Sequence, residues 1–353
     1  MPKITIAAFL QQGDASPILD VRSPGEYSHA RIPGAYSMPL FTDEERKVVG
    51  TAYKQESRET AIKIGLDYFG VKMRSMVEEA EAIVKNHNYA GSGDSRQQKV
   101  RVHCWRGGMR SAAVGWLLEL YGFKVEILEG GYKAFRSWVF EQFLMPYPFN
   151  VLGGYTGSGK TELLQQLGAQ GHVFIDLEAI AQHKGSAFGG FGVVQPGQEM
   201  FENLLALTLF EKVNTLPAGS RIWIEDESRR IGGVNLPAEM WQSMRDAPIY
   251  FLNIEREERL KFITAGYSKH SKEELVNAII RIQKRLGSQD TKNAINFLLE
   301  DNHKACFEIL LRYYDKYYQK SMEMRDNHNE LTIPVNCDTV NHKENCRLVL
   351  QAC

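Results

Sequence analysis

The stretch Phe149-Asn150-Val151-Leu152-Gly153-Gly154-Tyr155-Thr156-Gly157-Ser158-Gly159-Lys160-Thr161 decides the architecture of the second half of this chain. Residues of strand character run straight into a glycine-rich turn that ends in lysine and threonine. Apolar residues at helical spacing then predict a helix over 160–167. The glycines free the backbone to wrap anionic oxygens. The amides of Gly154, Thr156, Gly157, Ser158 and Gly159 are therefore expected to make a cage for a diphosphate. Lys160 bridges the outer phosphate, and the Thr161 hydroxyl offers a ligand to Mg²⁺. A strand before and a helix after are the context that separates such a loop from a chance match.

Downstream, short apolar runs at 172–175, 221–224, 249–254 and 331–335 read as strands separated by helical segments. That alternation predicts a parallel sheet covered on both faces. Residues 271–286 and 305–320 read as long helices. The run Ile224-Glu225-Asp226-Glu227 puts carboxylates at a strand end, with Asp226 expected to share a metal ion with Thr161; the plain alternative is a solvated acidic turn. Upstream, Met145-Pro146-Tyr147-Pro148 interrupts helical character, and the expected domain boundary falls there, giving domains 1–145 and 146–353. A chain of 353 residues is too long for one ordinary core. The first domain also reads as α/β: strands at 16–21, 99–103 and 124–128, a helix over 111–121, further helix over 138–144, and a polar surface loop over 86–98.

A second loop lies between the strand at 99–103 and the helix that follows: His103-Cys104-Trp105-Arg106-Gly107-Gly108-Met109-Arg110-Ser111. A thiolate at such a junction meets the positive helix end and free backbone amides, which stabilise it. Arg106 and Arg110 add charge of the right sign, while Gly107 and Gly108 let several N–H groups turn inward. Cys104 is thus the candidate nucleophile, in a cradle able to hold a Cys–S–X anion. The bland alternative is a small buried hydrophobe, the fate of most free cysteines. Cys306, Cys337, Cys346 and Cys353 have no such setting and are expected to pack.

Composition narrows the class. Hydrophobic content of 43% with 24% charged residues is that of a globular protein. The formal net charge of −1 leaves RNA contact to local patches, for which the candidates are Lys269, His270, Lys272, Arg281, Lys284, Arg285, Arg312, Lys316 and Lys320. No apolar run suits a membrane helix, the first residues do not read as a signal peptide, and five scattered cysteines do not read as a disulfide framework. The reducing cytoplasm is the expected compartment. The segment 183–192 is rich in glycine and aromatics, and reads either as a lid over the phosphates or as a surface loop. Phe188, Phe191 and Trp223 are candidates to line an apolar slot. A ten-carbon prenyl tail buried in one would contribute at most ~8 kcal/mol, at ~0.8 kcal/mol per carbon.

Leu19-Asp20-Val21-Arg22-Ser23-Pro24-Gly25-Glu26-Tyr27 with His29-Ala30-Arg31-Ile32-Pro33-Gly34-Ala35 resembles the opening signature of rhodanese domains, and Glu129-Gly130-Gly131-Tyr132-Lys133-Ala134-Phe135 their closing one. The resemblance implies that Cys104 carries the transferred chalcogen. A rhodanese-like domain followed by a P-loop domain, together with Ile224-Glu225-Asp226-Glu227-Ser228-Arg229-Arg230-Ile231-Gly232, is similar to the bacterial tRNA 2-selenouridine synthase family. The match extends through Arg285-Leu286-Gly287 and Tyr313-Tyr314-Asp315-Lys316-Tyr317-Tyr318. That family replaces the 2-sulfur of a modified wobble uridine with selenium from selenophosphate, and is linked to an S-geranylated intermediate made from geranyl diphosphate. The resemblance therefore implies tRNA and a selenophosphate supplier as partners and the two phosphorus compounds as co-substrates. An ATP-dependent rhodanese-type sulfurtransferase and a non-catalytic nucleotide-switch module are the competing readings of the same two loops.

Overall fold

The computed structural model describes residues 1–12, 16–87, 98–184, 194–267 and 270–353. Contacts divide the chain into two compact units, Met1–Gln142 and Phe143–Cys353. Each unit is built on its own five-stranded sheet.

In the first unit the strands are β1 (Lys3–Ile4), β2 (Ile18–Asp20), β3 (Tyr36–Ser37), β4 (Lys99–His103) and β5 (Lys124–Leu128). Their order is β1-β5-β4-β2-β3, and every pairing is parallel. The central strand β4 ends at His103, so Cys104 starts the loop at the carboxyl end of the sheet. The helix Met109–Tyr121 returns over the sheet and buries Val114, Leu117 and Leu118. Those side chains share a core with Leu19, Val21, Val100, Val102, Val125 and Ile127. Three helices that the apolar pattern did not suggest, Asp43–Gln55, Arg58–Gly70 and Met73–Asn86, lie between β3 and β4. Of the polar loop expected over 86–98, Asn86 closes the last of these helices, and 88–97 lie outside the described residues.

The strands of the second unit are β6 (Phe149–Gly154), β7 (Phe174–Ile175), β8 (Ile222–Glu225), β9 (Arg230–Ile231), β10 (Val234–Asn235), β11 (Ile249–Ile254) and β12 (Thr332–Cys337). The sheet order is β12-β11-β6-β8-β7, again parallel throughout, with β9 and β10 as a separate antiparallel pair. All six residues of β6 and all four of β8 are buried. Continuous burial is what a strand covered by helices on both faces requires, and it explains why these strands read as unbroken apolar runs. The helix Lys160–Ala169 follows β6 directly and buries Leu163, Leu164 and Leu167. Helices Lys272–Leu286, Ser288–Leu299 and His303–Glu323 share a second core that includes Leu275, Ile279, Leu298, Phe307 and Leu310. The first of them starts on a capping box in which Ser271 and Glu274 satisfy each other's amides.

Trp223 does not line a slot. It is 2% exposed, its ring lies 5.0 Å from that of Tyr250, and it packs in the core with Leu163, Leu164 and Leu167. Its strand is covered on both faces, which leaves an indole there no open side. Phe188, Phe191 and most of 183–192 lie outside the described residues. Among the described residues no helix is long and apolar enough to cross a membrane.

Candidate active site

The cysteine loop is held from three directions. Cys104 is buried, and its Sγ lies 3.3 Å from the Ser111 hydroxyl, whose one proton can turn to the sulfur or to the Gly108 carbonyl 3.0 Å away. Burial pushes the thiol up. The Ser111 hydroxyl, the amides of Ser111 and Arg106 and the charge of Arg110 outweigh that, and the thiol settles below its ordinary value. The other four cysteines go the opposite way: burial drives Cys306 up to about 12 and Cys337 to about 11, and raises Cys346 and Cys353. Cys104 alone among the five is shifted toward the thiolate.

The two halves of the first domain's signature meet around this loop. The amides of Tyr132 and Lys133 donate to the carbonyls of Cys104 and Trp105 at 2.8 and 3.0 Å. Gly107 and Gly131 both have positive φ, 61° and 60°. They press backbone to backbone, and a Cβ on Gly131 would run into the Cys104 carbonyl and the Gly107 amide. From the opening stretch, Arg22 forms a buried pair with Asp20 at 2.6 Å, and its guanidinium lies 3.8 Å from the Tyr132 ring centre. Glu26 receives Arg110 at 2.7 Å and Arg46 at 2.8 Å. Burial opposes ionisation of Glu26, but Arg110 and its other partners hold it at about 2. Glu26 thereby fixes the arginine that lowers the thiol, a role no local pattern announced. Of the predicted cradle, Gly107 is buried and Arg110 half-buried against Glu26, while Arg106 and Gly108 are exposed at the rim.

In the second unit, Gly159 takes φ 73° as the cap of the helix Lys160–Ala169, and Gly157 takes 82°. This backbone turns the loop onto the helix N-terminus, the arrangement that receives phosphate oxygens. Lys160 Nζ donates to the Gly154 carbonyl at 2.9 Å, and the Thr161 hydroxyl donates to Glu178 Oε2 at 3.3 Å. Ser158 is buried and its hydroxyl has no partner among the described residues. The loop is braced from far along the chain. The Gly154 amide donates to the Tyr318 hydroxyl at 3.1 Å, and Arg259 donates to the Thr156 carbonyl at 3.0 Å while gripping Asp315 with two bonds of 2.9 Å.

The carboxylates after β8 separate. Asp226, expected beside Thr161, is committed elsewhere: Tyr318 donates to it at 2.7 Å and Arg325 at 2.8 Å. Glu225 and Glu227 instead gather with Glu178, their ligand oxygens all within 4.8 Å of one another. Burial, then repulsion among these groups, pushes Glu225 and Glu227 well above the usual carboxylate range, against the opposing pull of Lys160. Oxygen-only donors beside the Thr161 hydroxyl suit a hard divalent cation such as Mg²⁺.

The basic candidates for RNA contact fare unevenly. Lys272 is paired with Asp301 at 2.7 Å, His270 lies 3.9 Å from Glu274, and Lys269 lies outside the described residues. Arg281, Lys284, Arg285, Arg312, Lys316 and Lys320 are exposed, the last three spaced four apart on the helix His303–Glu323.

Residues 147–336 match the family model of the tRNA 2-selenouridine synthase AAA domain, and residues 5–137 match that of the rhodanese-like domain. The chain is 34% identical to the tRNA 2-selenouridine synthase of Cupriavidus pinatubonensis over 348 residues, covering 88% of this chain and 90% of that one. It is 33% identical to the protein of that name from Sulfurovum sp., covering 87% and 89%, and 32% identical to that from Shewanella woodyi, covering 92% of each.

Proposed function

This chain belongs to the tRNA 2-selenouridine synthase family, and on that premise we propose that it exchanges the 2-sulfur of a 5-substituted wobble 2-thiouridine in tRNA for selenium. Selenophosphate supplies the selenium, and geranyl diphosphate supplies an activating group. The uridine sulfur attacks the geranyl carbon that bears the diphosphate, the carbon–oxygen bond breaks, and diphosphate departs. The S-geranylated base then carries a better leaving group than the bare thiocarbonyl. The selenium of selenophosphate adds at C2 and geranylthiol leaves; water then cleaves the selenium–phosphorus bond, releasing phosphate and the 2-selenouridine.

The division of labour follows from the two loops. The amides of the phosphate loop, with Lys160, hold the diphosphate and stabilise it as it leaves. The Cys104 loop serves selenium delivery, where the Arg106 and Ser111 amides and Arg110 favour an anion. The observation that supports this reading best is that Cys104, alone of five thiols, is held below its ordinary pKa in a chain that also carries an intact phosphate loop. The exposed row Arg312, Lys316 and Lys320 offers charge to the phosphates of tRNA. The cytoplasm is the compartment proposed, with a selenophosphate-forming enzyme as the supplying partner.

Nucleoside mass spectrometry of 2-thiouridine-containing tRNA incubated with the full chain, selenophosphate and geranyl diphosphate tests the reading. The expected product is 2-selenouridine. Cys104→Ala is expected to abolish selenium incorporation and to leave S-geranylated tRNA detectable; loss of both products together would refute the split between the loops.

A further inference from the structure

We propose that Glu178, Glu225 and Glu227 form a divalent-cation site beside the phosphate loop, and that a cation there is required for the loop to hold a diphosphate. This deepens the reading above and rests on the loop being the diphosphate site. Three elements deliver the donors: Glu178 comes from the short helix Leu177–Ala181 after β7, Glu225 from the end of β8, and Glu227 from just beyond it. Their oxygens span no more than 4.8 Å, close to the ~4–5 Å across an ion ligated by oxygens on opposite sides. The Thr161 hydroxyl already touches this group through Glu178 at 3.3 Å, which brings the cluster to the first turn of the helix that receives phosphate.

A second observation points to a missing ligand. Glu225 is 2% exposed, and its Oε1 has no hydrogen-bond partner among the described residues. A buried carboxyl oxygen left without a donor, crowded by two further carboxyl groups, is the environment a cation resolves. Lys160 offsets this only in part: its charge favours the Glu225 anion, but its ammonium donates to the Gly154 carbonyl and gives Oε1 no hydrogen bond. With oxygen donors only, the preferred ions are Mg²⁺ and Mn²⁺ rather than the softer metals that seek imidazole or thiolate. Asp226 takes no part, being held by Tyr318 and Arg325.

The test uses the purified full chain stripped with EDTA, with Mn²⁺ alone as the first probe. Bound Mn²⁺, read by electron paramagnetic resonance, is expected at one site per chain, and its binding is expected to raise Tm. Glu225→Gln is expected to weaken Mn²⁺ at least tenfold while leaving the metal-free Tm unchanged or higher, since a neutral amide replaces a buried carboxyl crowded by Glu178 and Glu227. Glu227→Gln is expected to weaken Mn²⁺ likewise. That opposition of signs separates a cation site from a merely structural cluster, for which Glu225→Gln lowers the metal-free Tm and leaves Mn²⁺ binding intact. Either that result or no Mn²⁺ binding by the parent chain overturns the proposal. Pyrophosphate is the second probe. Binding that depends on Mg²⁺ in the parent and loses that dependence in Glu225→Gln supports the full proposal. Binding of equal strength in EDTA overturns the requirement. Tight Mn²⁺ with no pyrophosphate binding under any condition leaves the cation site standing and overturns the diphosphate reading instead.

Discussion

Replacing Ser111 by alanine removes one contact from the Cys104 sulfur and leaves the rest of its cradle in place. The hydroxyl lies 3.3 Å from Sγ and is buried with it. A hydrogen bond to a charged group contributes about 1.5–3 kcal/mol, which is roughly 1–2 pKa units at 1.36 kcal/mol each. Sulfur makes a longer and softer bond than oxygen, and the amides of Ser111 and Arg106 and the charge of Arg110 remain. The expected rise is therefore at the low end, roughly one unit. Below both midpoints the thiolate fraction falls about tenfold, but a more basic thiolate is intrinsically faster, with a Brønsted slope of about 0.4–0.5. The net alkylation rate should drop about three- to fourfold. Peptide-resolved mass spectrometry of iodoacetamide labelling between pH 5 and 9 gives the midpoint for Cys104 separately from the four thiols that burial raises. A midpoint that does not move would mean that the amides and Arg110 set the thiolate alone, and the account of the cradle would be wrong.

Two further substitutions test the frame around that thiol. Gly131→Ala places a methyl group against the Cys104 carbonyl and the Gly107 amide at a positive φ, and is expected to cost about 2–4 kcal/mol of stability in the first unit, read by urea denaturation. Glu26 is held at about 2 in the folded chain against 4.5 without its partners, so it stabilises the fold above pH 4.5, and that contribution is lost as pH falls toward 2. The shift is worth at most about 3 kcal/mol. Glu26→Gln should therefore lower stability at pH 7, and the gap between variant and parent should close between pH 4.5 and 2. A gap that persists at low pH would assign the loss to packing.

Much of this was legible in the sequence, for physical reasons that differ by element. The expected strand 249–254 coincides with β11, because a run that buries Ile249, Tyr250, Leu252 and Ile254 stops where the polar chain resumes. Helix Met109–Tyr121 was found two residues short at its start, since its first turn is the functional loop and carries no apolar pattern. Asp43–Gln55 escaped because it buries only Ala52; its capping box, Thr42 with Glu45, was the available signal. Which carboxylate faces the phosphate loop was also available. Alternation along an extended chain puts residues 225 and 227 on one side and 226 on the other. Tyr318, Arg259 and Asp315 could not be read from spacing, because their partners lie 164, 103 and 56 positions away. The pairing of Glu26 with Arg110, 84 positions apart, was hidden for the same reason.

The brace on the phosphate loop has a consequence for how the protein is made. Tyr318 reaches back 164 residues to the Gly154 amide, whereas everything that shapes the Cys104 loop lies within the first 142 residues. At about 5–20 residues per second on the ribosome, Gly154 waits roughly 8 to 33 s for its partner to be translated. Nascent chains thus acquire a reactive thiol well before they acquire a finished anion cage, and a stall or cleavage upstream of Tyr318 yields the one without the other.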